Sequence, residues 1–170
     1  ALLADEFERA LRLHAPKSVA VLGCAGGNGF DRIQPLVTAR VVGIDINPEY
    51  IEAARARFTE RIAGLELIVS DLQVAEMDCE PVDLIFAGLL FEYVDVDRTL
   101  LAIRRLLNPS GVLVLILQRP SETVAAVTPS PFTTLSRLSG HMRLVCPTDL
   151  MQAADQLGFE CLRSEEVTTH

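Results

Sequence analysis

The chain has 170 residues, 49% of them hydrophobic, and this length suits one domain, 1–170, folded around a single core. Its longest uncharged apolar run, 111–117, is far shorter than the roughly 20 residues that cross a bilayer, so the sequence predicts no membrane span. The formal net charge of -8 repels phosphate backbones and disfavours nucleic acid as a partner. We expect a cytoplasmic protein, because residues 1–6 lack the basic flank and apolar core of a secretory signal.

The cysteines and histidines predict neither a metal site nor a disulfide framework. The chain has four cysteines and three histidines, and the cysteines show no CxxC spacing: they are Cys24, Cys79, Cys146 and Cys161. We therefore expect reduced thiols and no bound metal. Nothing in the sequence specifies an oligomeric state.

Apolar runs and helical periodicities alternate along the first half of the chain. They predict a helix over 4–13 that leans on the sheet edge, a strand over 19–23, a helix from about 28 to 37 and a strand over 40–45. Pro35 lies inside the second of these helices, so we expect a kink or a shorter helix there. The Asn47-Pro48-Glu49 segment then predicts a helix start, with a cap, a first-turn proline and an acid.

The alternation continues in the second half. The pattern predicts, in order, a helix ending near Ile62, strands over 65–70 and 82–87, a helix capped by Asp95 or Asp97, a strand over 112–117, a helix over 148–157 and a strand over 159–163. The 112–117 strand is apolar throughout, which is typical of a central parallel strand. Residues 118–147, rich in Pro, Ser and Thr, predict an irregular excursion on the substrate side. The fold class is α/β, a doubly wound and mainly parallel sheet with helices on both faces.

A glycine-rich loop and a carboxylate are predicted to meet at one edge of this sheet. Four glycines fall within 23–29, directly after the first strand, and Asp45 ends the second strand. Ligands of open parallel sheets bind outside the carboxyl ends of the strands, so the loop and Asp45 should line one crevice. A carboxylate there suits the two hydroxyls of a ribose, but the pattern does not distinguish one ribose-bearing cofactor from another.

Six motifs together resemble the class I, Rossmann-like S-adenosylmethionine-dependent methyltransferases over roughly residues 5–165. They are Val-Leu-Gly-Cys-Ala-Gly-Gly-Asn-Gly at 21–29, Gly-Ile-Asp-Ile-Asn-Pro-Glu at 43–49, Ser-Asp-Leu at 70–72, and the segments 83–94, 107–115 and 157–159. The resemblance implies S-adenosyl-L-methionine as cofactor and S-adenosyl-L-homocysteine as product. It implies in-line methyl transfer to O, N or C of an unidentified acceptor, which we expect to be a small molecule.

The resemblance also implies which residues hold the cofactor. The methionine part would contact the backbone of four loop residues: Gly23, Cys24, Ala25 and Gly27. Asp45 would hold the ribose hydroxyls, and Ile46 would lie against the adenine. Asp71 would accept from the adenine amino group, or would merely cap the following turn. Leu72 would offer a backbone N–H or an apolar wall.

The resemblance places Gly88 and Leu89, which follow the fourth strand, against the methionyl group and the substrate. A general base is needed only if the nucleophile begins protonated, and the candidates are Glu92, Tyr93 and His141. Each candidate has a plainer interpretation, as a polar loop residue, a packing ring and a surface residue respectively. Asp83 starts the fourth strand away from the ligand end and is interpreted as structural.

Two departures from the family pattern leave alternatives open. Val21 stands where the family often carries an acid, so recognition of the methionine amino group must be altered or supplied elsewhere. A seventh strand is not visible after 159–163, so either the sheet ends early or the chain is truncated. The alternatives are a non-catalytic, methyltransferase-like interaction module and an NAD-dependent oxidoreductase of the short-chain type. The glycine spacing fits the oxidoreductase, but neither tyrosine has a lysine four residues on.

Overall fold

The computed structural model describes residues 2–74, 77–118 and 143–167. In these ranges four α-helices and five strands follow one another, with a short 3-10 helix at Phe30–Arg32. In chain order they are α1 (Leu2–His14), β1 (Ser18–Leu22), β2 (Arg40–Asp45), α2 (Pro48–Phe58), β3 (Leu65–Val69), β4 (Val82–Gly88), α3 (Val96–Leu106), β5 (Leu107–Ile116) and α4 (Pro147–Gln156).

The five strands form one parallel sheet in the order β3-β2-β1-β4-β5. The chain runs outward from β1 through β2 to β3, then crosses to β4 on the other side of β1 and continues to β5. Between β1 and β4 the direction of winding reverses, and ligands of such sheets bind outside the carboxyl ends of the strands at this point. The predicted doubly wound α/β fold is confirmed.

Apolar side chains cover both faces of the sheet. Val19 and Val21 of β1 face one core cluster, which contains Phe7 of α1 and Phe58 of α2. Ala20, Leu22 and the other alternate positions face a second cluster, built with α3 and α4. Each fully buried phenylalanine contributes about 1.5–3 kcal/mol relative to an exposed one. The two clusters explain why β1, β2 and β4 are apolar at nearly every position.

The helix predicted over 28–37 is wrong, because only the 3-10 turn Phe30–Arg32 forms there. Gly29 precedes this turn in a left-handed conformation (φ 87°), and Ile33 leaves it in an extended one. Two turn bonds follow, from Val37 N and Thr38 N to Gln34 O. Pro35 lies inside this second turn, directly after Gln34, and because it has no N–H to donate it interrupts a continuous helix. The first helix forms as predicted, and α1 packs against β4 and the edge strand β5, with Phe7 and Phe86 ring centroids 5.0 Å apart.

Two strand predictions in the second half are also wrong. β5 is an edge of the described sheet, not a central strand, and its side chains from Gly111 to Ile116 are half-buried. Residues 159–163 are irregular. Phe159 N donates to Ala154 O at 3.1 Å and its ring packs on the second cluster, whereas Leu162 is exposed. The segment 159–163 therefore does not form a strand, and its first residue, Phe159, caps the end of α4.

Within the described ranges, none of the helices has both the length and the hydropathy needed to traverse a bilayer.

Candidate functional site

The glycine loop after β1 is tied directly to the end of β2. Gly23 N and Cys24 N both donate to Ile44 O, at 2.8 and 3.1 Å. Gly23 and Gly27 have left-handed backbones, with φ of 65° and 82°. A Cβ atom at Gly27 would lie 2.6 Å from Cε2 of Phe58. Only glycine fits this position, because both the backbone angle and the aromatic neighbour exclude a side chain.

Asp45 holds the loop in place with both carboxylate oxygens. Its Oδ2 accepts from Ala25 N and its Oδ1 accepts from Asn47 N, each at 2.9 Å. Asn47 in turn caps α2 by accepting from Glu49 N at 2.9 Å. The Asp45 residue is only 9% exposed. Since an ionised carboxylate can accept about four hydrogen bonds, Asp45 keeps capacity for two further donors such as vicinal hydroxyls.

Ala25 and Cys24 stabilise the loop through hydrogen bonds of their backbone N–H groups. Ala25 has φ 48°, a conformation that side-chain-bearing residues rarely adopt and that is held here by the bond from its N–H to Asp45. The Cys24 thiol is buried in the first core cluster, and burial, with a smaller contribution from Asp45, raises its pKa to about 12. The thiol is therefore protonated at neutral pH and is not a nucleophile. All four cysteines are free.

The predicted adenine end has one exposed apolar residue and one capping acid. Ile46 is 63% exposed immediately after β2. Ser70 N donates to Asp45 O at 3.0 Å, which holds the end of β3 beside the end of β2. Asp71 Oδ1 accepts from Gln73 N at 2.9 Å, so Asp71 does cap the following turn. Leu72 is buried in the second core cluster.

The loop after β4 forms the other wall of the crevice. A Cβ at Gly88 would lie 3.0 Å from Cδ2 of Leu3, so the start of α1 covers the end of β4. Leu89 is left-handed (φ 54°), and its N–H donates to Ile116 O at 2.9 Å. Leu90 reaches the glycine loop, because its Cδ1 lies 3.4 Å from the position of a Cβ at Gly23. The structure thus brings the predicted residues after β1 and β4 to the same edge.

Glu92 lies in the loop after β4, as its plainer interpretation has it, but it is buried there, with only 1% of the residue exposed. Its Oε1 accepts from Gln118 N at 2.6 Å, and its main-chain oxygen accepts from Arg143 N at 2.8 Å. Its Oε2 is buried, and no described residue forms a hydrogen bond with it. Burial and the nearby Glu92 carboxylate both raise the pKa of Tyr93. His141 lies outside the described residues.

The sequence did not point to Arg57, which contacts the glycine loop. Its Nη1 donates to Gly26 O at 2.6 Å, and its guanidinium lies 4.8 Å from the ring centroid of Phe58. No local pattern marks this contact, since 31 residues separate its partners. In the described residues no group of three or more His, Cys, Asp or Glu side chains is arranged to hold a metal ion.

A cavity of about 320 Å³ lies beside this wall, between the loop after β4 and the start of α4. Apolar side chains such as Phe91, Val94 and Leu150 line it, together with Arg143 and two acids, Asp97 and Asp149. Because its lining carries both signs of charge, the cavity does not by itself select an anionic or a cationic ligand.

Comparison with protein families and curated proteins gives one consistent picture. Residues 20–115 match the model of a family described as a methyltransferase domain. The chain is 34% identical over 157 residues to a trans-aconitate 2-methyltransferase of Azoarcus sp. (strain BH72), covering 85% of this chain and 59% of that protein. A trans-aconitate 2-methyltransferase of Methylobacterium radiotolerans is 33% identical over 112 residues, which are 65% of this chain and 41% of that protein. The chain therefore spans less than two thirds of these relatives.

Solved structures share the fold at low sequence identity. The N-methyltransferase NodS from Bradyrhizobium japonicum WM9, in complex with S-adenosyl-L-homocysteine, superposes with a TM-score of 0.67 at 20% identity, covering 91% of this chain and 71% of that one. The YcgJ protein from Bacillus subtilis gives a TM-score of 0.70 at 16% identity, with 91% and 67% of the two chains covered. These likenesses confirm the fold that the sequence motifs imply.

Proposed function

Because the chain belongs to the methyltransferase domain family, we propose that it is an S-adenosylmethionine-dependent methyltransferase acting on a small-molecule acceptor. The cofactor site is the crevice at the carboxyl ends of β1, β2 and β4. The observation that carries this proposal is the hydrogen bond between Ala25 N and Asp45 Oδ2. It joins the glycine loop and the acidic strand end into one rigid unit, inside the range that matches the family model.

The residues of the crevice fit the parts of this cofactor. Gly23 and Gly27 carry no side chain and Ala25 carries only a methyl group, so this left-handed loop has little side-chain bulk where a methionine tail would pass. Asp45 has free acceptor capacity for two ribose hydroxyls, and the exposed Ile46 offers an apolar surface for an adenine ring. Asp71, although it caps a turn, has a second oxygen for the adenine amino group.

The bound cofactor supplies an electrophilic methyl group on a sulfonium. The protein's contribution is to hold the acceptor in line and to keep water out, which together account for much of the rate of such displacements. A carboxylate acceptor is already deprotonated at neutral pH and needs no general base. Two relatives are named trans-aconitate 2-methyltransferases, which supports a small carboxylic acid as the acceptor of this chain.

Calorimetric titration tests cofactor binding directly. We expect saturable binding of S-adenosylmethionine and S-adenosylhomocysteine, and no binding of NADH. Asp45→Ala should weaken S-adenosylhomocysteine binding at least about 10-fold, because it removes an acceptor of charged hydrogen bonds and frees the glycine loop. Asp83→Ala is the matched control, since this carboxylate also holds backbone N–H groups but lies at the opposite end of the sheet. Equal affinity in Asp45→Ala and wild type would remove the ribose assignment.

The acceptor is tested by release of S-adenosylhomocysteine. Trans-aconitate is the first compound, followed by other small mono-, di- and tricarboxylic acids and by primary amines as a contrasting class. Turnover with acids and none with amines supports the carboxylate proposal. Turnover confined to amines would keep the methyltransferase activity but refute the acceptor class.

One observation favours a second candidate, a module without catalytic activity. Val21 is 5% exposed and sits in an apolar cluster, so β1 presents no acid to a methionine ammonium group. A domain that lacked this contact altogether would bind the cofactor weakly and could serve as an interaction surface. Absence of any heat with S-adenosylmethionine and S-adenosylhomocysteine would favour this candidate over the enzyme.

A further inference from the structure

Glu92 has a buried carboxylate oxygen that no described residue engages. The residue is 1% exposed, Oε1 accepts from Gln118 N at 2.6 Å, and Oε2 has no hydrogen-bond partner. Within residues 2–74, 77–118 and 143–167, no cationic side chain pairs with it. A buried carboxylate oxygen without a donor is unfavourable by itself, so it points to a donor that arrives with a ligand.

The Glu92 carboxylate lies at the carboxyl end of β5, on the edge of the sheet where the cofactor is proposed to bind. Gln118 directly follows the end of β5, and Leu89 N bonds to Ile116 O at the same end of that strand. Two residues before Glu92, the side chain of Leu90 contacts the glycine loop at Gly23. The segment 89–92 therefore runs from the glycine loop to the end of β5, and the carboxylate lies at the edge of the sheet where the cofactor is proposed to bind.

The other acids at this edge hold backbone N–H groups, and their remaining acceptor capacity is assigned above to the ribose and the adenine. Asp45 uses each oxygen for a backbone N–H of the loop or of the α2 cap, and Asp71 uses Oδ1 for Gln73. β1 contributes only the apolar Val21. A methionine tail carries an ammonium group with three donors and a positive charge, which needs an anionic or carbonyl partner. Among the described residues, Glu92 is the acid of this edge that combines deep burial with an oxygen lacking a hydrogen-bond partner.

We propose that Glu92 Oε2 accepts a hydrogen bond from the ammonium group of the cofactor's methionine part. The inference depends on the proposed function, because it assumes that the cofactor occupies this crevice. Glu92 then does two things with its two oxygens: Oε1 holds the chain after β5 and Oε2 recognises the ligand. The negative charge matches an ammonium, whereas it would repel the carboxylate acceptor proposed above.

The Glu92→Gln variant separates the two oxygens. A glutamine amide oxygen still accepts from Gln118 N, but its NH₂ group replaces the Oε2 acceptor and removes the negative charge. We expect S-adenosylhomocysteine to bind this variant 10- to 100-fold more weakly by calorimetry, in line with the loss of a charged hydrogen bond. Binding of 5′-methylthioadenosine, which lacks the amino-acid part, should change less than about 2-fold, since it makes no contact with this oxygen.

Two further variants complete the experiment. Glu66→Gln removes a charge of the same sign from β3, where Glu66 pairs with Arg40 at 2.7 Å, and should leave both affinities unchanged. Glu92→Asp keeps the charge on a shorter side chain and should retain part of the preference for S-adenosylhomocysteine over 5′-methylthioadenosine. It also serves as the second variant if Glu92→Gln does not fold, which circular dichroism and thermal melting decide.

The outcomes distinguish this inference from the proposed function. If wild type binds S-adenosylhomocysteine and Glu92→Gln binds it equally well, the inference is overturned and the proposed function stands. If Glu92→Gln weakens both ligands equally, Glu92 only shapes the wall and the inference is again overturned. If wild type binds neither S-adenosylmethionine nor S-adenosylhomocysteine, the proposed function itself fails and the inference fails with it.

Discussion

The two ends of the parallel sheet are built differently. At the amino ends, Asp83 Oδ2 accepts from Lys17 N and Ser18 N at 3.1 and 3.0 Å, and its Oδ1 accepts from Asn108 at 2.8 Å. Ser18 Oγ returns the contact by accepting from Asp83 N at 3.0 Å. At the carboxyl ends, Ala25 and Leu89 are left-handed, and Glu92 Oε2 has no hydrogen-bond partner in the part of the chain that the structure describes.

This difference in hydrogen bonding distinguishes residues that only stabilise the fold from residues that are proposed to bind a ligand. The polar groups described at the amino ends form hydrogen bonds with one another. They therefore stabilise the fold and do not serve a ligand. Two of the three described non-glycine residues with a left-handed backbone, Ala25 and Leu89, lie at the carboxyl ends, and so does the unsatisfied oxygen of Glu92. Such features are typical of functional sites. Substitutions at the two ends should therefore differ in whether they alter stability alone or ligand binding as well.

The largest expected effect is at Gly27. Gly27→Ala should lower the free energy of unfolding by roughly 3 kcal/mol, because its Cβ would overlap the Phe58 ring and its φ of 82° disfavours any side chain. Urea denaturation measures the change. Gly26→Ala is the matched control one residue away, where the nearest atom to a Cβ is Arg57 Nη1 at 3.5 Å. Equal stability of the two variants would show that the loop is not packed against α2 as described.

The next effect tests the amino ends through pH. Burial raises the pKa of the Asp83 carboxyl, but the hydrogen bonds from Asn108, Ser18 and Lys17 outweigh burial and lower it below its ordinary value. A lowered folded-state pKa means that the stabilisation is complete above about pH 4, the ordinary value, and is lost as the pH falls through the folded-state pKa.

Comparison of wild type with Asp83→Asn measures this contribution. The difference in unfolding free energy should be below about 1 kcal/mol, since solvent screens a partly exposed carboxylate, and should shrink from pH 5 towards pH 3. Affinity for S-adenosylhomocysteine at pH 7 should not change. A difference in unfolding free energy that grows on acidification would contradict the lowered pKa of Asp83. A loss of S-adenosylhomocysteine affinity would contradict the purely structural role of the amino ends.

The smallest effect is the relief of strain in the glycine loop. Ala25→Gly should raise the free energy of unfolding by about 0.5 kcal/mol, because relief of the left-handed strain slightly exceeds the added chain entropy of glycine. Ala15→Gly is the matched control, since Ala15 is also left-handed (φ 42°) but follows α1 away from the crevice. Both variants should gain stability in urea denaturation, and only Ala25→Gly should alter S-adenosylhomocysteine affinity. A change of affinity in Ala15→Gly would indicate a global effect.

Local patterns predicted the elements that rely on local chemistry. Asn47-Pro48-Glu49 predicted the start of α2, and Asn47 does cap it through Glu49 N. Asp95 caps α3 in the same way, by accepting from Arg98 N. The helix predicted over 28–37, with a kink or a shortening expected at Pro35, is reduced to the 3-10 turn Phe30–Arg32, because the backbone preferences of Gly29 and Pro35 prevent a continuous helix.

The sequence by itself determined the alternation of strands and helices, the glycine loop and the acid at the end of β2, because periodicity, capping and glycine depend on neighbouring residues. Only the tertiary structure decided the rest. It placed β5 at an edge, left 159–163 without a strand, and buried Glu92 against Gln118. Burial and strand pairing depend on which distant segments meet. The local sequence around Glu92 does not indicate that its carboxylate accepts a hydrogen bond from a backbone N–H 26 residues away.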